Sequence, residues 1–537
     1  MHTSEAKRER IIRQSDARAA GARSLRSELA LLGSLVAGLA LANMAAAGQL
    51  TAKWTINTSD IFAGRTFGAG HQGCQTVWDI DGDGTNEIIF GTRRGDSKRL
   101  WCFDARANFE WIYPPIDQDG LPGDPLSKVS LIDVNRDSRY ELCLAGRGGR
   151  LHVLDGKGHL IWSWDDPNIG ADIEGPPQAF DVDGDGYIEF FLGDSRGCIH
   201  RVTHQGERVW SLQACGKFVA GQPTVADIDR DGGLELLVAS DDWFVYCLDA
   251  RTGSEEWRFN TTANCAGPVI VVDVNSDGEY EALVWDEIGR GESAGCLFCL
   301  SFFGAQMWNF TLPQPGRVKL VQTVGDVDGD GSLEIAAVSD TVLCCIDIGG
   351  DYPVLEWEIN VTKWVEEGRF GGAVALASAW SSYTLMADID GDERQELLWL
   401  VPFPMVTDAS TGALEAYYCN PNVAQAKRQE NGGWWGDVDN DGMSEWIVEL
   451  NGKYHLLTEV YCLTMNGKFP TISPWPEYYH TAYPAEYQKK QDWLTLKAAY
   501  SNSLWFPMPE ASLGSAIFLL ANVFVRKKYG RPSAPKR

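Results

Sequence analysis

Short apolar runs alternate with acidic, glycine-bearing turns along most of this chain. Ile88-Ile89-Phe90 follows one such turn and Leu236-Leu237-Val238 another. Brief apolar runs bounded by Asp and Gly predict strands rather than helices. A second strand comes after each, as in Leu100-Trp101-Cys102-Phe103-Asp104, Val245-Tyr246-Cys247-Leu248-Asp249 and Val342-Leu343-Cys344-Cys345-Ile346-Asp347. A turn such as Thr252-Gly253 leads to a strand carrying a tryptophan: Trp111, Trp162, Trp210, Trp257, Trp308 or Trp357. A Gly/Pro loop such as Gly221-Gln222-Pro223 then feeds the strand before the next acidic turn.

The acidic turn repeats, and its first Asp falls at Asp79, Asp133, Asp181, Asp227, Asp273, Asp326, Asp388 and Asp437. A period near fifty residues denotes an array of one supersecondary unit. Four strands per unit is the composition of a β-propeller blade. The chain is therefore expected to be all-β, a β-propeller of eight four-stranded blades over residues 48–469, with seven blades as the alternative. Lys53-Trp54-Thr55-Ile56-Asn57 matches the tryptophan strand, which the last repeat lacks or keeps only as a vestige near Phe469. The N-terminal strand can therefore complete the last blade and close the ring, which removes exposed sheet edges.

Each turn places oxygen-bearing side chains at positions 1, 3, 5 and 9. The eight sets are Asp79, Asp81, Asp83 and Glu87; Asp133, Asn135, Asp137 and Glu141; Asp181, Asp183, Asp185 and Glu189; and Asp227, Asp229, Asp231 and Glu235. They continue with Asp273, Asn275, Asp277 and Glu281; Asp326, Asp328, Asp330 and Glu334; Asp388, Asp390, Asp392 and Glu396; and Asp437, Asp439, Asp441 and Glu445. Residue 7 can add its carbonyl. Calcium takes six to eight such oxygens, so calcium is the expected cofactor. Glycine at position 6 (Gly84, Gly186, Gly232, Gly278, Gly331, Gly442) permits the sharp return. An EF-hand needs its last carboxylate at position 12 and flanking helices; here it stands at position 9 and leads into a strand. A single copy could be a plain acidic turn, but eight copies in register favour metal. The second copy, with Asn135 and Ser138, and the seventh, with Glu393 in place of glycine, are expected to be weaker or empty.

Charge agrees with metal. These positions hold thirty of the 74 acidic residues, and eight divalent ions would take the formal net charge from −28 to −12. Without cations the clusters repel one another. So acidic a chain is not expected to bind nucleic acid.

The tryptophans could be sugar platforms, but one per blade at one position is the pattern of packing between blades. Cys102, Cys247, Cys299, Cys345 and Cys462 share one strand position and read as small buried hydrophobes. Thirteen cysteines cannot all pair internally, and Cys344-Cys345 leaves a vicinal disulfide as a minor alternative. The eight histidines are scattered, and no nucleophile elbow, zinc-binding His motif or phosphate loop is present.

Residues 1–47 combine a basic start (Lys7, Arg8, Arg10, Arg13), an apolar stretch Leu29 to Ala42 and small residues Ala45-Ala46-Ala47. This predicts a secretory signal peptide, with a membrane anchor as the alternative. Residues 470–505 are rich in Pro and aromatics and predict a strap and linker. Residues 506–537 hold an uncharged run, 511–525, followed by Arg526, Lys527, Lys528 and Arg531. That run is short of the ~20 residues of a comfortable span and suggests a sorting or anchor segment. The chain is expected to be exported to the bacterial cell surface or matrix, monomeric, and in membrane contact only through its terminal segments.

The repeated Asp-x-Asp-x-Asp-Gly-x-x-Glu loop over residues 50–465 resembles the FG-GAP/VCBS repeats, whose propeller is similar to the integrin α-chain head. The strand and turn from Cys247 to Trp257 also resemble quinoprotein-type repeats. The tail, from Pro507-Met508-Pro509-Glu510-Ala511, resembles PEP-CTERM sorting signals but lacks the second proline of Pro-Glu-Pro. The first resemblance implies a calcium-stabilised propeller on an exported protein that binds another protein or a polysaccharide. It also implies ligand loops on the face opposite the calcium loops, here including 91–99, 286–295 and 361–380. Candidate contacts are Arg93, Arg94, Trp243, Arg290, Trp364, Arg369, Trp434 and Trp435. The expected function is a non-enzymatic adhesion or matrix-binding module. The alternatives are a calcium-dependent polysaccharide lyase similar to rhamnogalacturonan lyases and a quinone-dependent dehydrogenase.

Overall fold

The computed structural model describes residues 48–57, 67–69, 76–95, 99–113, 124–137, 139–147, 149–165, 171–173, 175–216, 219, 223–265, 267–287, 295–312, 323–339, 342–367, 384–387, 389, 394–400, 404–418, 434–441, 445–451 and 458–464. The segments 1–47 and 470–537 lie outside these residues.

Eight antiparallel sheets form eight blades, so the seven-bladed alternative falls away. Blade 4 is typical. Thr224–Ala226, Glu235–Ala239, Phe244–Asp249 and Glu255–Asn260 pair in sequence order. The first two strands are buried at every residue, whereas the fourth alternates between exposed and half-buried. First strands of adjoining blades also approach one another, as Gln178–Phe180 does with Thr224–Ala226. The first strand therefore lies at the hub and the fourth at the rim.

Apolar side chains from the two faces of each blade build eight clusters, one at each blade-to-blade interface. The cluster that joins Val438, Ile447 and Cys462 of blade 8 to Val77, Ile88 and Trp101 of blade 1 closes the ring. Closure depends on the N-terminal strand, as its sequence suggested. Thr51–Asn57 pairs with Thr458–Thr464 as the fourth strand of blade 8, with Trp54 opposite Cys462. Just before it, Gly48–Gln49 runs parallel to Leu414–Tyr417 on the rim of blade 7.

The blade tryptophans pack between blades. Trp257 donates its indole N–H to the carbonyl of Phe302 in the next blade at 2.8 Å. Its ring lies on Gly304, where a Cβ would come within 2.6 Å of the indole. Trp210 and Trp357 make the same bond to Arg251 and Ala409. The cysteines behave as expected: all eleven described ones are buried thiols outside any disulfide. Cys344 and Cys345 point into different interfaces, so no vicinal disulfide forms.

A β-bulge recurs between the third and fourth strands of all eight blades. It leaves one extra residue just before the tryptophan position, such as Glu256 in blade 4. Bulges re-aim a side chain and twist the edge. The antiparallel order puts the acidic loops and the turns before the fourth strands on one face. The turns between second and third strands, and the connections between blades, lie on the other.

Candidate metal centres

Position 9 organises each acidic loop. In all eight, Oε2 of the glutamate accepts a hydrogen bond from the backbone N–H of position 2, from Ile80 to Glu87 at 2.9 Å through Val438 to Glu445 at 3.0 Å. These glutamates are almost wholly buried. The carboxylate at position 1 accepts from the backbone of position 6, as Asp79 does from Gly84 at 3.0 Å and Asp181 from Gly186 at 2.8 Å. Position 6 is left-handed, with φ from 91° to 94° at Gly84, Gly186, Gly232, Gly278 and Gly331, as the glycines implied. Position 4 is left-handed too, and there non-glycine residues Arg136, Arg230, Ser276 and Asn440 hold it at φ 58–66°. This was not legible from the repeat, because the position is glycine in only some copies.

Five loops bring three carboxylate oxygens within 4.8 Å of one another. They are Asp79, Asp81 and Glu87; Asp181, Asp183 and Glu189; Asp227, Asp229 and Glu235; Asp326, Asp328 and Glu334; and Asp437, Asp439 and Glu445. Oxygens on one calcium ion, each about 2.4 Å away, are at most about 4.8 Å apart. The separations fit, and so does the donor chemistry. A buried oxygen of Asp227 also lacks any hydrogen-bond partner. Loops 2 and 5 carry Asn135 and Asn275 at position 3 and form no such triad. In loop 2 the Asn135 amide donates to the free oxygen of Glu141 at 2.9 Å. In loop 7, Asp388, Asp390 and Asp392 lie outside the described residues, while Glu396 keeps its bond from Ile389.

The electrostatics show strain that a cation would relieve. Burial, with the neighbouring carboxylates adding to it, pushes Glu87, Glu235 and Glu334 up to about 8. Glu141, Glu189, Glu281 and Glu445 are pushed up to about 7. In the second and fifth loops one carboxylate is replaced by an amide; in the third and eighth a cation is nearby.

Two positions outside the loop face each cluster: a third-strand residue and the bulged fourth-strand residue. In blades 1, 4 and 6 these are Cys102 and Glu110, Cys247 and Glu256, and Cys345 and Glu356. The Cys102 thiol lies 3.5 Å from Glu110, and that of Cys247 3.9 Å from Glu256. Burial first, and then the loop aspartates, raise all three glutamates. In blade 3 the third-strand residue is Arg201, whose guanidinium meets Asp183 at 2.7 Å and Glu189 at 3.1 Å. In blade 8 the bulged residue is Lys53, whose ammonium meets Asp439 at 2.7 Å, Glu445 at 3.0 Å and Asp441 at 3.2 Å. Sequence reasoning missed both cations.

The expected ligand contacts are scattered. Trp243 stands in the turn between the second and third strands of blade 4, about half exposed (49%) on the face opposite the acidic loops. Its backbone is left-handed at φ 75°, and its indole N–H bonds Asn264 at 2.7 Å. Trp364 is corrected: it sits on the short helix Val361–Glu366 and packs into the core between blades 6 and 7, so it presents no surface to a ligand. Arg93 and Arg94 belong to the second strand of blade 1, Glu87–Gly95. Trp434 and Trp435 lie on the hub strand of blade 8, not in a turn. Arg290 and Arg369 lie outside the described residues.

Residues 192–284 match the family model of the lambda-carrageenase β-propeller domain. No curated protein matches the sequence. Among solved structures, the chain is similar to the biofilm matrix protein Bap1 of V. cholerae at 13% identity, covering 80% of this chain and 93% of that one, with a TM-score of 0.43. It is similar to the quinohemoprotein alcohol dehydrogenase of Comamonas testosteroni at 14% identity, covering 85% and 82%, with a TM-score of 0.49. BamB from Moraxella catarrhalis is 15% identical over 68% of this chain and 96% of that one, with a TM-score of 0.38. At these identities the likeness is one of fold alone.

Proposed function

We propose that this chain is an exported, calcium-binding propeller that serves as a non-enzymatic adhesion or matrix module, binding a polysaccharide or protein on the face opposite its acidic loops. The observation that carries the calcium reading is the convergence of Asp79, Asp81 and Glu87, and of their counterparts in blades 4 and 6, at separations that suit one hard cation. When bound, the ion would supply the positive charge that lets buried glutamates such as Glu235 ionise beside the loop aspartates. Those side chains would hold it, and Gly84 and its equivalents shape the return of the loop.

The match of residues 192–284 to a carrageenase propeller domain favours polysaccharide over protein as the ligand. Trp243, exposed in that region, offers an aromatic face of the kind used to stack on apolar surfaces. The same match favours polysaccharide cleavage as the second reading. A lyase needs a base near the metal, and neither nearby cation suits that role. Arg201 is buried and its guanidinium is held by Asp183 and Glu189. Partial burial opposes charge on Lys53, but its bonds to Asp439, Glu445 and Asp441 hold it protonated above its ordinary range. The quinone-dependent reading loses one of the features that suggested it, because Cys344 and Cys345 are separate thiols.

The test is a panel of sulfated galactans and uronic-acid polymers, with calcium and with EDTA, read for both binding and new reducing or unsaturated ends. Calcium-dependent binding without new ends is expected. New ends would move the protein to the depolymerising class, and no binding to any polymer would sink the polysaccharide reading.

A further inference from the structure

Two of the five carboxylate triads already contain a positive charge from the chain. In blade 8, Lys53 reaches three of the four carboxylates of the loop at 2.7–3.2 Å. In blade 3, Arg201 reaches two, at 2.7 and 3.1 Å, and is almost fully buried. The three other triads have neither cation. At the positions of Arg201 and Lys53 they carry Cys102 and Glu110, Cys247 and Glu256, or Cys345 and Glu356. One bulge, found in every blade, therefore aims opposite charges at otherwise similar loops. A calcium ion in loop 8 would need the oxygens of Asp439 and Glu445 at about 2.3–2.6 Å. The Lys53 ammonium holds those same groups, and two cations cannot share so small a cage without repulsion.

We propose that the third and eighth loops are filled by the chain's own cation and exclude metal, and that Lys53 serves as a metal-independent clasp of the ring. The metal-exclusion half rests on the calcium reading above; the clasp half does not. Lys53 belongs to the N-terminal strand and its partners to the last blade, 392 residues away at Glu445. Their contact therefore fastens the one blade built from both ends of the propeller. Loops 1, 4 and 6, with a bulged glutamate in place of the cation, are the metal-loading class.

The test counts bound calcium per full-length chain after equilibrium dialysis and, separately, measures melting in EDTA. Lys53 is about a third exposed, so its variants are expected to fold. Asp81→Asn should lose one ion per chain, whereas Asp439→Asn should leave the count unchanged. Lys53→Gln should gain one ion, and Lys53→Arg none. In EDTA, Lys53→Gln should lower the melting temperature by a few degrees more than Lys157→Gln, an exposed control. That loss should largely vanish in the Lys53→Gln, Asp439→Asn double variant. Loss of an ion in Asp439→Asn, or no gain in Lys53→Gln, would overturn the exclusion of metal. Additive melting effects would overturn the clasp. A wild-type chain that binds no calcium but keeps the Lys53–Asp439 coupling would remove the calcium reading and leave the clasp standing.

Discussion

Trp257 and Trp243 lie in one blade and should fail in opposite ways. Trp257 is half-buried against the next blade, donates to Phe302 O at 2.8 Å and covers Gly304. A tryptophan buries roughly 150–250 Å² when fully enclosed, at about 25 cal/mol per Å². Taking about 100 Å² for this half-buried ring gives roughly 2.5 kcal/mol, and compactness of the unfolded chain trims that to about 2 kcal/mol for Trp257→Ala. Trp257→Phe keeps most of the ring and loses the hydrogen bond, leaving one carbonyl short of a donor, for about 1–2 kcal/mol. Polysaccharide affinity should not change in either variant. Trp243 is the converse. Its ring is half exposed, and its left-handed backbone disfavours any residue with a Cβ by roughly 1–2 kcal/mol. Trp243→Gly should therefore leave stability unchanged or raise it by up to about 1 kcal/mol, while weakening ligand binding at least about fivefold, the effect of losing about 1 kcal/mol of contact. The assays are urea melts and calorimetric titration of the same preparations. If Trp257→Ala weakened binding without lowering stability, the blade tryptophans would be ligand platforms after all and the packing argument would be wrong.

Chelation should lower the melting temperature by several degrees or more, because an ion bound only by the native state stabilises it by mass action; a thermal scan with and without EDTA checks this. Stability of the metal-free chain should fall as pH rises. Burial places Glu87, Glu235 and Glu334 near 8, above an ordinary value of about 4.5, so their neutral form favours folding. That contribution is complete below about pH 4.5 and is lost as pH climbs through about 8. Melting curves from pH 5 to 8.5 in EDTA should slope downward, and saturating calcium should flatten or invert the slope. Gly232→Ala and Gly304→Ala separate two kinds of strain in urea melts. Both have positive φ, but Gly232 has open space around it and Gly304 meets Trp257 at 2.6 Å. The first should destabilise by about 1–2 kcal/mol and the second by about 1–3 kcal/mol more.

The sequence carried the fold because the acidic phrase marks the same point in every blade. The glutamate at position 9 could be identified from its spacing, and its bond to the backbone of position 2 follows from a loop of fixed length. The closing strand could be identified because Trp54 repeats the motif of Trp111 and Trp257. The cations at the third and eighth loops were not legible, for two different reasons. Lys53 meets acids almost 400 residues away, and that pairing exists only once the ring closes. Arg201 occupies a position filled by cysteine in five blades, so the repeat pattern led the eye to the cysteines and past the exception. Trp364 reads as a loop tryptophan because the connection around it is polar. The short helix that turns it inward is capped by Asn360 accepting from Thr362, a local signal too brief to stand out.

The strand Thr51–Asn57 is made first and pairs last. Its partner strand is Thr458–Thr464, and at about 5–20 residues per second a ribosome needs roughly 20–80 s to get from one to the other. Until then the earliest part of the propeller has no neighbour on the blade it completes, and the ring has one open seam with bare edges on both sides. A chain built this way cannot close its ring until most of its length has been synthesised. The seam closes only once both ends of the propeller are free to meet.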